Sequence, residues 1–227
     1  MVWLKGMKQK THRSAIQSTA GGSARGAASR GRILDAALGV FRAQGYAATT
    51  VDDLCRAAGV TKGSFFHHFE SKEAAALAAI EHWNEVTAAL FADAPYWRIE
   101  DARERLLSYL DFRAQLVQGE LPEFTCLLGM LAQETFASHP ALRAACDAGI
   151  EAHAQTLVPT IQSALEGHAA GADEEAESLA RYTQAVLQGA FVLAKAGNDP
   201  GLVLDAIGHL RRYLELLLPP STPRRRQ

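Results

Sequence analysis

Apolar residues recur at helical spacing along this chain. Ile33, Leu34, Ala37, Val40 and Phe41 stand at relative positions 0, 1, 4, 7 and 8. That is one face of a helix, and it predicts α1 over about Ser29–Gln44. Gly45 suits the position after its end, because glycine takes positive φ without a Cβ clash. Thr49 or Thr50 can cap a second helix, α2, running from Val51 to a stop at Gly59, with Asp52 or Asp53 completing a capping box. Val51, Leu54, Cys55 and Ala58 form its inner stripe. Thr61 caps α3, Lys62–His68. Ser71 caps α4, whose Glu73 suits the positive end of the helix dipole.

The remainder reads as helix after helix. α4 continues through Trp83 to about Phe91, where Ala94-Pro95 breaks it. Further helices are expected over about Ile99–Val117, ended by Gly119 and Pro122, and over about Phe124–Ala137. A long helix is expected from Pro140 to about Glu166, kinked at Pro159. A loop over Gly167–Asp173 precedes two closing helices, about Glu174–Ala196 and Leu202–Leu218. No strand and no internal repeat is legible, so the fold class is all-α, with about nine helices. Residues 1–28 are rich in Lys, Arg, Gly, Ser and Ala without hydrophobic periodicity, and read as a disordered basic arm. They are either a solvated tail or an arm that tracks DNA. Residues 219–227 read as a flexible basic tail.

Composition changes this picture only when the charge is divided. The net charge is −2. Residues 1–72 hold 11 Lys+Arg against 4 Asp+Glu, whereas residues 73–227 hold 12 against 21. A basic first third beside an acidic remainder suggests one part that meets a polyanion and one that does not. The 48% hydrophobic content suffices for a core. Three cysteines without CxxC spacing fit a reducing compartment. The basic start has no apolar run suited to a signal peptide, and no stretch is long enough to span a membrane. A soluble, cytoplasmic protein is expected.

The chemistry concentrates in α3. At about 10 Å it is too short to stand alone. Phe65 and Phe69, at i and i+4, can hold it on α1 and α2, with Val60 closing the turn. Lys62, Gly63, Ser64, His67 and His68 then face outward or lie on the rim. Two short helices about a tight turn, the second polar outside and aromatic behind, form a helix-turn-helix pattern, which sets one helix in the major groove of DNA. Lys62 can pair with phosphate or a guanine edge, Ser64 with either, and His67 with base or phosphate. At Gly63 DNA can approach the backbone. Thr50, Thr61, Lys72 and the helix N-termini supply expected phosphate contacts.

These residues carry a resemblance. Arg32-Ile33-Leu34-x-Ala36-Ala37, Phe41-x-x-x-Gly45-Tyr46, Thr49-Thr50-Val51-x-x-Leu54, the string Ala57-Ala58-Gly59-Val60-Thr61-Lys62-Gly63-Ser64-Phe65-Phe66-His67-His68-Phe69, and Lys72-Glu73 are similar to the N-terminal domain of the tetracycline-repressor (TetR) family. The match covers about residues 30–75. The helical remainder is similar in architecture alone. The resemblance implies a helix-turn-helix domain over 29–72 and a ligand-binding and dimerisation domain over 73–218. It implies a homodimeric regulator, usually a repressor, released from a double-stranded DNA operator by a small molecule. Two departures stand out: Phe66 where the family commonly has Tyr, which removes a phosphate-contacting hydroxyl, and Cys55 where Ala is usual.

For the dimer, Leu179, Val186 and Leu193 repeat every seven residues, with Tyr182, Gly189 and Ala190 beside them. Val203, Ile207, Leu210, Leu214 and Leu217 form a second stripe. Two such helices from each subunit would make a four-helix bundle; alternatively both stripes face their own core. For the effector, Trp83, Trp97, Tyr109, Phe112, Phe124, Cys126, Met130, Phe136 and His153 are candidate lining, with Gln133 and Glu134 as polar handles. Ordinary core is the alternative for each. Cys126 is either a buried inert thiol or, beside a cation, a reactive one. The chain has no HExxH, GxSxG or phosphate loop, and no His pair at metal-ligand spacing, so neither enzyme activity, a metal nor a cofactor is expected. An activator of the same fold and a non-specific DNA-binding protein are the rival functions.

Overall fold

The computed structural model describes residues 21–166 and 172–218. The expected basic arm up to residue 20, most of the expected loop over 167–173 and the tail over 219–227 lie outside them. Every regular element among the described residues is helical: α1 (Gly21–Gln44), α2 (Val51–Ala58), α3 (Lys62–His68), α4 (Lys72–Ala92), a 3-10 turn (Pro95–Arg98), α5 (Ala102–Gln115), α6 (Leu121–Phe124), α7 (Leu127–Thr135), α8 (Pro140–Gln155), α9 (Val158–Leu165), α10 (Ala172–Gly197) and α11 (Gly201–Leu217). Two compact units form, one from Met1–Ala88 with Gln118–Gly149, the other from Ala89–Val117 with Ile150–Gln227.

In the first unit α1 is the spine. Ile33, Ala37, Leu38 and Phe41 are fully buried, and α2, α3, α6 and α7 meet it. The helix begins at Gly21, eight residues before the expected Ser29. Ala24, Ala27 and Ala28 favour helix intrinsically, although no apolar stripe announces it. Arg42 is among the largest fully buried side chains of the described residues. Its Nε donates to the Leu38 carbonyl (2.8 Å), its Nη1 donates to that of Glu123 (3.0 Å), and its guanidinium lies 5.0 Å from the Trp83 ring centre. Burial lowers its pKa to about 10, with the charges of Cys126 and Glu123 opposing, so it stays charged at neutral pH.

The second unit is built on α5, which packs against the 3-10 turn, α9 and α11, while α10 packs against α9 and α11. Leu106, Leu107, Tyr109 and Leu110 bury from α5, and Ala180, Gln184, Leu187 and Phe191 from α10.

Two proline expectations are corrected. Pro122 does not stop a helix; it sits in the first turn of α6, where a missing N–H costs nothing. The helix expected over about 124–137 is α7, Leu127–Thr135, and α6 is an additional turn before it, separated by Thr125 and Cys126, whose ψ values of 155 and 125 are extended. Pro159 likewise opens α9, so the long helix expected from 140 to 166 is divided, not kinked.

Candidate nucleic-acid interface

The turn between α1 and α2 is fastened at several points. Gly45 takes φ +85. Beyond it the Glu134 carboxylate accepts the N–H groups of Tyr46 (2.6 Å) and Ala47 (2.8 Å). Lys72 Nζ donates to the carbonyls of Tyr46 and Thr49, both at 2.9 Å, and lies 4.2 Å from the Tyr46 ring centre. Thr50 then caps α2: its hydroxyl accepts the Asp53 N–H at 3.2 Å, and its own N–H donates to Asp53 Oδ2 at 2.9 Å. Hydrogen bonds from Thr50 hold the Asp53 carboxyl down at about 2. Gly59, at φ 63 and ψ 43, ends α2.

Thr61 caps α3, its hydroxyl accepting the Ser64 N–H at 3.1 Å. Phe65 and Phe69 are buried with ring centres 5.6 Å apart. Their burial leaves Thr61, Lys62, Gly63, Phe66 and His67 exposed and Ser64 partly so. Phe66 is 54% exposed, which is unusual for an aromatic side chain held in contact with a core ring. Lys62 Nζ lies 3.0 Å from the Asp52 carboxylate, both side chains well exposed. Water or phosphate can displace such a pair at little cost.

Two expected contact residues are held by the protein itself. His68 turns back to α1, its Nε2 2.7 Å from Ser29 Oγ, which in turn donates to the Gly26 carbonyl. Burial, then the charges of His67 and Arg30, lower its pKa. Ser29 is the expected first residue of α1; the early start adds the Gly26 carbonyl that holds its hydroxyl. Lys72 spends its donors on Tyr46 and Thr49, as above.

The expected effector residues divide between the units. In the first, Trp83 is covered by Arg42, Met130 is partly buried, and Cys126 is partly buried at the start of α7. Cys146 is fully buried, its thiol pushed up to about 12 by burial and then by Cys126. Gln133 is exposed and donates to the Gly129 carbonyl one turn back at 3.0 Å; Glu134 is the turn clamp; Phe136 is 64% exposed. None of these last three lines an interior. In the second unit Tyr109, Phe112 and His153 do converge, with Phe91 and Tyr96. His153 lies 4.5 Å from Phe91, ring centre to ring centre, and its Nε2 is 3.1 Å from the Tyr109 hydroxyl. Phe112 lies 5.6 Å from Phe91 and 5.9 Å from Tyr96. Trp97 is partly exposed and donates to the Phe91 carbonyl at 2.8 Å.

The expected dimer residues divide too. Tyr182 and Leu193 are exposed and Val186 partly so, while Leu179, Ile207, Leu210 and Leu214 are buried in the subunit's own core. A straight α-helix drifts roughly 20° per heptad, so the 179–186–193 repeat rotates from inside to outside. The outward face instead includes Tyr182, Leu193, Tyr213 and Leu216, with Tyr182 and Tyr213 ring centres 5.4 Å apart.

The reading of sequence missed Glu134 as a clamp, Arg42 as core, and Arg113 and Gln184 beside His153. A signal existed for the last two. Arg113 follows Tyr109 by four residues on the inner face of α5. Gln184 interrupts the stripe Ala180, Leu187, Phe191, Ala194, which is otherwise apolar and buried. Among the described residues no group of three His, Cys, Asp or Glu side chains could hold a metal, and no helix is long and apolar enough to cross a membrane.

A threonine-capped helix seated on two buried phenylalanines, one left-handed turn after a capping-box helix, defines a helix-turn-helix protein. Comparison with known proteins narrows the class. Residues 33–79 match bacterial regulatory proteins of the tetR family, and residues 102–209 match the LmrA/YxaF-like transcriptional regulator C-terminal domain. The chain belongs to the TetR family of transcriptional regulators. The transcriptional regulator AcuR of Cereibacter sphaeroides is 29% identical over 172 residues, 74% of this chain and 77% of AcuR. The HTH-type transcriptional regulator SrpR of Pseudomonas putida is 54% identical over 43 residues, 19% of this chain and 20% of SrpR. The chain spans about a fifth of the length of the curated relatives it matches over this short stretch. A TetR transcriptional regulator from Chloroflexus aurantiacus shares the fold with a TM-score of 0.69 at 27% identity, covering 84% of this chain and 96% of that one. The regulatory protein TetR from Rhodobacter sphaeroides does so at 0.69 and 25%, covering 82% and 98%. These proteins regulate transcription; they are not enzymes.

Proposed function

We propose that the protein is a cytoplasmic homodimeric repressor that holds a near-palindromic operator and leaves it when a small hydrophobic or aromatic molecule binds. The observation that carries this reading is the outer side of α3, where Lys62, Gly63, Phe66 and His67 stand exposed on a helix braced from behind by Phe65 and Phe69. Lys62 and Ser64 meet phosphate or base edges, His67 reads a base, and Gly63 lets the duplex close on the backbone. Phe66, without a hydroxyl, offers an apolar contact, to which a thymine methyl is the natural partner. Thr50 and Thr61 stay close to phosphate at the starts of their helices. Lys72 and His68 act indirectly, one holding the turn before α2 and the other tying α3 to α1.

One short recognition helix reads few bases, so a second copy is needed, placed about one helical turn of DNA away. The exposed apolar positions Tyr182, Leu193, Tyr213 and Leu216 support a symmetric helical interface. The aromatic residues around His153 support an effector site, and a hundredfold preference of effector for the released form supplies roughly 2.7 kcal/mol.

Fragments of the source genome selected on the protein, followed by fluorescence anisotropy, test this. The expected result is two chains per duplex and an affinity at least about 10³ above random DNA. Equal affinity for random DNA would overturn it.

A further inference from the structure

Arg113, on α5, has its guanidinium 5.3 Å from the ring centre of Phe91 and 5.9 Å from that of Phe191. Two aromatic side chains hold it in place, yet among the described residues it makes no hydrogen bond and no ion pair. Asp111, two positions before Arg113, is committed to Arg211 at 2.8 Å, and Glu151, two positions before His153, to Arg181 at 3.0 Å. A guanidinium carries five donors in a planar fork that matches a carboxylate. Here the chain fixes the fork and commits none of it.

The neighbours of Arg113 are neutral. The Gln184 amide donates to the Tyr109 hydroxyl oxygen at 3.5 Å. The hydroxyl hydrogen is then free for His153 Nε2 at 3.1 Å, which assigns the ring proton to Nδ1. Burial first, and the charge of Arg113 second, push the imidazole down to about 3. The cluster therefore presents a single positive charge among aromatic rings. Such a setting suits one negative charge and penalises two, because the second would be desolvated without a partner.

We propose that Arg113, Tyr109 and His153 form a subsite for a small organic monoanion, a carboxylate on a flat aromatic or unsaturated body. The guanidinium takes the carboxylate two-pronged, and the rings of Phe91 and Phe112 cover the body. This rests on the reading that a small effector releases the protein from DNA, and it specifies the chemical class of that effector.

The test is calorimetric titration of the full chain with sodium benzoate and with benzamide, an uncharged near-isostere. Benzoate binds at least tenfold more tightly than benzamide. In Arg113→Gln that preference falls to within twofold while benzamide binds as before; Arg113→Lys, which keeps the charge without the fork, retains part of it and serves where the glutamine variant does not fold. Equal affinity of the two probes, no binding of benzoate, or a preference that survives Arg113→Gln overturns the subsite. Both probes are then added to the protein bound to its selected DNA. Release by benzamide alone would leave the effector reading standing and remove the subsite. A benzoate preference that depends on Arg113 but leaves DNA affinity unchanged would keep the subsite and remove the release reading.

Discussion

Lowering pH from 7.5 to 5.5 should weaken the fold through His153 by an amount that can be worked out. In the unfolded chain its imidazole titrates near 6.5; in the folded protein burial holds it at about 3. The folded pKa is the lower one. Below 6.5 the unfolded chain therefore binds a proton that the folded protein refuses, and stability falls with pH. The contribution is complete above about 6.5, declines toward about 3, and is constant below that. Between pH 7.5 and 5.5 the linkage relation gives a loss of about 1.4 kcal/mol from this one group. His153→Gln removes the titration while keeping a polar side chain of similar length. Urea unfolding of both proteins at both pH values, followed by far-UV circular dichroism, isolates the effect as a double difference. His68, whose pKa is also lowered, contributes with the same sign to both proteins and cancels. The variant should lose about 1.4 kcal/mol less than the parent across that interval. Equal losses would mean that the imidazole accepts a proton in the folded state. The neutral ring between Phe91 and Tyr109 would then be wrong.

Other perturbations test other parts. Lys62→Ala should weaken operator binding and reduce the slope of log affinity against log salt by about 0.9 if the ammonium neutralises one phosphate. Asp52→Asn, which removes the carboxylate 3.0 Å from Lys62, should tighten binding; an unchanged affinity would show that this pair never competes with DNA. Glu134→Ala, which removes the acceptor of two N–H groups in an exposed setting, should cost about 1–2 kcal/mol of unfolding free energy and weaken DNA binding, both measurable on one preparation. Leu193→Glu places a charge on the outward face of α10; light scattering should find monomer, and a persistent dimer would move the interface elsewhere.

Much of the first unit was legible because its signals are local. A left-handed glycine, a threonine cap and its reciprocal aspartate act within four residues, so spacing placed Gly59 and Thr61 and narrowed the α2 cap to Thr49 or Thr50 with Asp52 or Asp53, of which the structure selects Thr50 and Asp53. Spacing also placed Phe65 and Phe69. Proline misled where its position within a helix mattered more than its presence. Pro122 and Pro159 both occupy first turns, where the sequence reading treated them as a stop and a kink. The alanine-rich start of α1 gave no periodicity to read, and with it went the Gly26 carbonyl that fixes Ser29 against His68.

Side chains whose role depends on distant segments were harder. Glu134 lies 88 residues from Tyr46, and nothing around it distinguishes a clamp from a solvated helix residue. Amphipathic stripes raise a related difficulty: the pattern shows that a face is buried but not by what. Leu179, Ile207, Leu210 and Leu214 satisfy the pattern by facing their own subunit, which leaves Tyr182, Leu193, Tyr213 and Leu216 as the apolar surface requiring explanation. The useful signals there were the exceptions. An arginine one turn after a buried tyrosine, and a glutamine within a buried apolar stripe, each place polar chemistry where the core would gain from an aliphatic side chain. Both lead to His153, so the departures from pattern indicate a binding site more directly than the aromatic residues that surround it.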